Sequence, residues 1–89
     1  MTKTIFEKII LREIPANIHY EDDEVIVIDD INPTAPIHLL IIPKKKIETL
    51  NDLTESDTKL VGKLFQVAKN MASKFGIDKS GYRAIFNCN

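Results

Sequence analysis

Asp29 and Asp30 stand side by side after a β-branched run, two carboxylates whose chemistry would be to accept hydrogen bonds. An ionised carboxylate offers two acceptor oxygens, enough to hold two adjacent donors at once. Taken alone, the pair reads first as a polar strand end leading into a turn, and nothing but that is assigned to Asp29. The other reactive side chains are His19, His38 and Cys88. The two histidines lie nineteen positions apart and both precede the long apolar-striped segment described below. For His19 the sequence carries no partner signal, and it reads as a surface residue of the first strand. Cys88 could serve as a nucleophile only with a base beside it. No histidine lies near it in the sequence, so it takes no catalytic role. The run Lys44-Lys45-Lys46 reads as a solvated loop.

Some element must position these groups, and the bulk composition says what kind of chain supplies it. The 89 residues are enough for one small domain spanning 1–89, with hydrophobic residues at 44% and charged residues at 28%, an ordinary globular balance. A domain of this size buries only somewhat more than ~60% of its unfolded surface, so its stability margin is thin. Twelve Lys plus Arg against thirteen Asp plus Glu leave a net charge of −1, which gives no drive toward nucleic acid or an anionic membrane. One cysteine cannot form an internal disulfide and fits a reducing compartment. No apolar stretch approaches the ~18 residues of a membrane span. Glu7, Lys8 and Arg12 break up what would be a leader's apolar region, so a cytoplasmic location is expected.

Periodicity then places the elements. Thr4 to about Leu11 reads as a short amphipathic helix, with Thr4 and Glu7 at capping-box spacing and Pro15 ending it. Strands are expected at Ile18 to Glu21, Val25 to Ile28 and His38 to Ile42, the last stopped by Pro43. Two prolines make Asn32 to Pro36 a loop. From Thr54 to Phe75, Leu60, Val61, Leu64, Phe65, Ala68, Met71, Ala72 and Phe75 recur at steps of three and four, the stripe of a core-facing helix. Gly76 stands where a left-handed cap belongs. Tyr82 to Phe86 reads as a last strand, which must lie at an edge or pair with something outside this chain. The expected fold is α+β: a mainly antiparallel sheet with a short N-terminal helix and one long helix.

Several segments, in this order, resemble the histidine-triad (HIT) family, particularly its Hint branch of purine nucleoside phosphoramidases. They are Ile5-Phe6-Glu7-Lys8-Ile9-Ile10, Glu13-Ile14-Pro15-Ala16 and Tyr20-Glu21-Asp22-Asp23, followed by Asp30-Ile31-Asn32-Pro33. Ala35-Pro36-Ile37-His38-Leu39-Leu40-Ile41-Ile42-Pro43-Lys44 is the most specific piece, and Gly81-Tyr82-Arg83 with Asn87 closes the match. The resemblance implies that Asp30 accepts hydrogen bonds from both ribose hydroxyls of a nucleotide. It implies that Phe6, Ile9, Ile28 and Ile31 pack around the base, Phe6 and Ile31 nearer the mouth, while plain core packing explains Ile9 and Ile28 equally well. Asn87 would reach toward the phosphate.

The family's activity passes through a nucleotidyl-histidine intermediate formed by a His-x-His-x-His strand, which this sequence lacks. The expectation is therefore an incomplete, truncated family domain without its C-terminal strand or strands, with no catalytic residue of its own and only weak binding of a purine nucleoside monophosphate. His38 matches a histidine that in some bacterial relatives binds zinc with two cysteines and a later histidine. Thr4 and Glu7 occupy those cysteine positions here, so neither a metal nor any other cofactor is expected. In the family the long helix and the strand matching Tyr82 to Phe86 build a two-fold dimer. A homodimer through 54–75 and 82–86 is thus expected as partner chemistry. Two further readings stand beside truncation: a non-catalytic dimerisation module retaining part of a nucleoside pocket, and an enzyme whose missing strand comes from another polypeptide.

Overall fold

Thr4 opens the first element by reciprocal capping: its Oγ1 accepts from the Glu7 N–H at 3.1 Å, and Glu7 Oε1 accepts from the Thr4 N–H at 3.2 Å. The computed structural model describes residues 4–86. Helix α1 runs over Ile5–Ile10. It ends well before Pro15. Arg12 takes a left-handed conformation with φ 64°, and the Glu13 N–H donates to Lys8 O at 2.8 Å, turning the chain away. A left-handed residue with a side chain costs about 1–2 kcal/mol. Here the Arg12 guanidinium gains an ion pair with Glu21 in return.

Strands β1 (Ile18–Glu21), β2 (Val25–Asp29) and β3 (Leu39–Pro43) form an antiparallel sheet in the order β1-β2-β3. Asp22 makes the first turn, its Oδ1 accepting from the N–H groups of Glu24 at 2.8 Å and Val25 at 2.9 Å. Tyr20 pairs with Val27 and Glu21 with Ile26, but Ile18 pairs with Ile28, so a bulge at His19 moves the register by one residue. The β2–β3 register is regular, from Val25 opposite Pro43 to Asp29 opposite Leu39. His38 falls just outside β3, and Pro43 is its last residue rather than a stop beyond it.

Val25, Ile26, Val27 and Ile28 are all buried, which fits the central strand and explains its β-branched run. Successive side chains face opposite ways. Ile26 and Ile28 form one core with Ile9 of α1, and Ile10, Ile14, Ile18, Leu40 and Ile42 pack against it. Ile9, Ile26 and Ile28, the buried three, each contribute roughly 1.5–3 kcal/mol through burial.

The chain divides into two compact units, Met1–Lys45 and Lys46–Asn89. In the second, short 3₁₀ turns at Leu50–Asp52 and Glu55–Asp57 lead into α2, Thr58–Lys74. The helix expected from Thr54 thus begins with a 3₁₀ turn. Thr54 donates to Asp57 Oδ2 from its N–H at 3.0 Å and from Oγ1 at 3.2 Å. Val67, Met71 and Ala72 are the buried part of the α2 stripe. The helix ends in a Schellman motif: Ile77 N–H donates to Ala72 O at 2.9 Å, Gly76 N–H to Ser73 O at 3.1 Å, and Gly76 has φ 72°.

The last strand expected from the sequence does not form. Residues 82–86 join no sheet among the described residues. The aromatic and β-branched side chains of this stretch favour extension, but a strand exists only with a ladder partner. Phe86 instead packs its ring on Phe65, centroids 5.6 Å apart. The architecture is α+β, with a three-stranded antiparallel sheet, a short helix and one long helix.

Candidate functional site

The loop between β2 and β3 closes on itself around Asp30. Its two ends are tied by the Asp30 N–H, which donates to His38 O at 3.0 Å. Asp30 Oδ1 accepts from the Asn32 N–H at 2.9 Å, and Oδ2 lies 3.3 Å from His38 Nε2. The Thr34 N–H donates to His38 Nδ1 at 3.1 Å. Pro33 and Pro36 restrict φ between these anchors, which lowers the entropy lost in ordering the loop. A carboxylate oxygen has two lone pairs. Each Asp30 oxygen therefore keeps an acceptor position beyond its loop contact, and the side chain is partly open to solvent.

Two of the expected apolar neighbours stand at the surface. Ile31 is 80% exposed and Phe6, on α1, is 40% exposed. Ile9 and Ile28, at 6% and 2%, lie inside the core of the first unit, so their packing needs no ligand to explain it. Asn87 and Cys88 lie outside the described residues. His38 has Nδ1 occupied by Thr34 and Nε2 turned to Asp30, which leaves it no lone pair free for a metal. Among the described residues, no cluster of three or more His, Cys, Asp or Glu could hold one.

A second polar cluster was not legible in the sequence. Asp29 Oδ1 lies 2.7 Å from His19 Nε2, and Oδ2 accepts from Asn17 Nδ2 at 2.6 Å. His19, expected as an unpartnered surface residue, is a part-buried partner of this carboxylate. The bulge is the cause. By shifting the register it brings Asn17 opposite Asp29, whose N–H donates to Asn17 O at 3.1 Å. The His19 contact first, then Asn17, holds the Asp29 carboxyl below its ordinary value.

Glu21 forms a third cluster. Lys44 Nζ lies 2.8 Å from its Oε2 and Arg12 pairs with Oε1. Lys44 foremost, then Arg12, lowers the Glu21 carboxyl below its ordinary range. Lys44 is thus set apart from the solvated run in which the sequence places it.

Residues 3–89 match the family described as "Scavenger mRNA decapping enzyme C-term binding". The chain is 47% identical over 87 residues to the purine nucleoside phosphoramidase of Escherichia coli K12, covering 98% of this chain and 73% of that protein. It is 45% identical over 89 residues to an uncharacterized HIT-like protein of Buchnera aphidicola from Baizongia pistaciae, covering 100% of this chain and 80% of the relative. Among solved structures, a HIT family hydrolase from Clostridium thermocellum superposes with a TM-score of 0.95 at 44% identity, over 100% of this chain and 77% of that one. One from Legionella pneumophila Philadelphia 1 gives 0.95 at 44%, over 98% and 78%.

Proposed function

The chain belongs to the histidine-triad (HIT) family, and from that premise we propose that it carries the nucleoside-holding side of a family nucleotide site. In this reading Asp30 accepts the two ribose hydroxyls of a purine nucleoside monophosphate. Ile31 and Phe6 flank the base by dispersion and exclusion of water. Ile9 and Ile28 back that wall from the core. One observation carries the proposal. The Asp30 carboxylate is fixed by its own loop, keeps acceptor capacity on both oxygens, and sits beside an isoleucine left largely in solvent.

Hydrolysis in the family needs a histidine nucleophile within a His-x-His-x-His strand. These 89 residues contain only His19 and His38, which face Asp29 and Asp30. The proposal for them is therefore binding without turnover, at a cytoplasmic location. With the ribose and base contacts but few for phosphate, affinity falls at about the millimolar level, near −4 kcal/mol. Amide chemical shifts during titration with AMP and GMP test this. Shifts at Asp30 and Ile31 that saturate near millimolar nucleotide are expected. Saturation at micromolar AMP, or no response at these two residues, overturns it. An adenosine phosphoramidate assay on the same protein should show no turnover.

A second reading, a homodimer through α2 and residues 82–86, rests on a different observation. Phe65, Tyr82, Ile85 and Phe86 are all exposed large apolar or aromatic side chains of one unit. Monomeric proteins seldom leave such a set in water, and a two-fold interface would cover both copies at once. Sedimentation across a concentration series should give a dimer that Phe65→Glu dissociates. A monomer at every concentration removes this reading.

A further inference from the structure

We propose that His38 is a positioning residue that presets the Asp30 carboxylate for a vicinal diol, and so sets preference for ribose over deoxyribose. This rests on the nucleoside reading above and assigns to the same site a residue that reading does not use. The argument starts from what a lone aspartate cannot do. Its χ1 has three staggered wells and its terminal torsion is broad and roughly two-fold, so an unsupported carboxylate samples many orientations. Two adjacent hydroxyls require both oxygens to face the same way.

The loop supplies that restraint at both oxygens. The Asn32 N–H donates to Oδ1 at 2.9 Å, while His38 Nε2 stands 3.3 Å from Oδ2. Which ring nitrogen carries the proton follows from Thr34. Its N–H donates to Nδ1 at 3.1 Å, so Nδ1 presents a lone pair. A neutral imidazole then carries its hydrogen on Nε2, the nitrogen turned toward Asp30. Nε2 thus approaches the carboxylate as a donor, with a distance that can tighten when a ligand orders the site. The ring is itself held in place. The His38 carbonyl accepts from the Asp30 N–H at 3.0 Å, which pins the backbone carrying the imidazole beside the backbone carrying the carboxylate. Three backbone N–H groups, from Asp30, Asn32 and Thr34, thereby fix one side-chain pair.

Two substitutions separate the two ring nitrogens. In His38→Gln the amide nitrogen falls where Nε2 was and can still donate to Asp30. In His38→Asn the amide oxygen can still accept from Thr34, but no donor reaches Asp30. The probes are AMP and its 2′,3′-dideoxy analogue, titrated into the 89-residue protein and followed by amide chemical shifts. Wild type should bind AMP more tightly than the dideoxy analogue. His38→Asn and His38→Ala should weaken AMP by about three- to tenfold while leaving the dideoxy analogue unchanged, and His38→Gln should restore most of the difference. Equal losses for both ligands, or rescue by Asn rather than Gln, overturn the proposal.

Two measurements on the ligand-free protein keep the outcome independent of affinity. Long-range ¹H–¹⁵N spectra should show His38 protonated on Nε2. Coupling constants should show one Asp30 χ1 rotamer in wild type and His38→Gln, and averaging in His38→Asn. An Nδ1-protonated ring, or averaging in wild type, overturns the positioning role even if AMP binds. A wild type that ignores AMP while passing both tests overturns the ribose reading and, with it, the sugar preference, but leaves the His38–Asp30 brace standing.

Discussion

His19 Nε2 lies 2.7 Å from Asp29 Oδ1, so the bulged residue of β1 closes on the carboxylate that immediately precedes Asp30 in β2. The bulge and the contact depend on each other. Without the register shift Asn17 would not stand opposite Asp29, and without Asp29 the polar side chains of Asn17 and His19 would lose their shared acceptor. This cluster fixes the strand end from which the Asp30 loop departs.

Acid should unfold the protein through this cluster and the one at Glu21. Both carboxyls are held below their ordinary values by their partners. A depressed carboxyl contributes stability that is complete above its unfolded value, about 4, and is lost as pH falls through the lower folded value. Urea midpoints should therefore hold steady from neutral pH down to about 5 and drop below about 4. In the pair Asp29→Asn and Glu21→Gln combined, the midpoint should be lower at pH 7 and the acid drop shallower. An unchanged acid limb would remove these two groups as its cause.

Arg12 sets backbone strain against an ion pair, and two substitutions separate them. Arg12→Ala keeps the left-handed φ of 64° and loses the pair with Glu21. Arg12→Gly loses the pair but relieves the strain. A partly exposed pair is worth about 0–1 kcal/mol, and the strain about 1–2 kcal/mol. The glycine variant should thus be more stable than the alanine variant by about 1 kcal/mol in urea unfolding. Equal stabilities would mean that position 12 has relaxed out of the left-handed region.

Gly76→Ala isolates the same cost in the second unit. A Cβ there meets nothing within 4 Å, so no clash contributes, and only the φ of 72° resists. The loss should be about 1 kcal/mol, read as a lower denaturation midpoint with the helical signal of α2 intact. A much larger loss would show that the Schellman hydrogen bonds to Ala72 and Ser73 had broken as well.

Elements whose cause is local were legible in the sequence. The Thr4–Glu7 capping box, the β-branched β2, the two-proline loop and the Gly76 cap each depend on residues within a few positions, and each forms as its residues dictate. What escaped depends on register. A bulge adds one residue without any composition of its own, so the Asn17–Asp29–His19 cluster could not be located before the strands were paired. The β-like composition of Tyr82 to Phe86 misled for the same reason: it reports side chains that suit a strand, not the presence of a neighbour. At the candidate site, Asp30 and Ile31 were reached through family resemblance. The way the loop holds Asp30, through Asn32, Thr34 and His38, became visible only in the folded chain.

The division between surface and core among the expected base-packing residues yields the last prediction. Ile31 is 80% exposed, so Ile31→Ser should change stability by no more than about 0.5 kcal/mol. Ile28 is 2% exposed within the core, and Ile28→Ala should cost about 2–5 kcal/mol through the cavity it leaves. If Ile31 covers one side of the base, the serine variant should bind AMP about three- to tenfold more weakly, the loss expected for a few tens of Å² of apolar contact. Urea unfolding and AMP titration of the two variants settle the matter together. An Ile31→Ser protein that is fully stable and binds AMP as wild type does would take Ile31 out of the site and leave Asp30 to act without it.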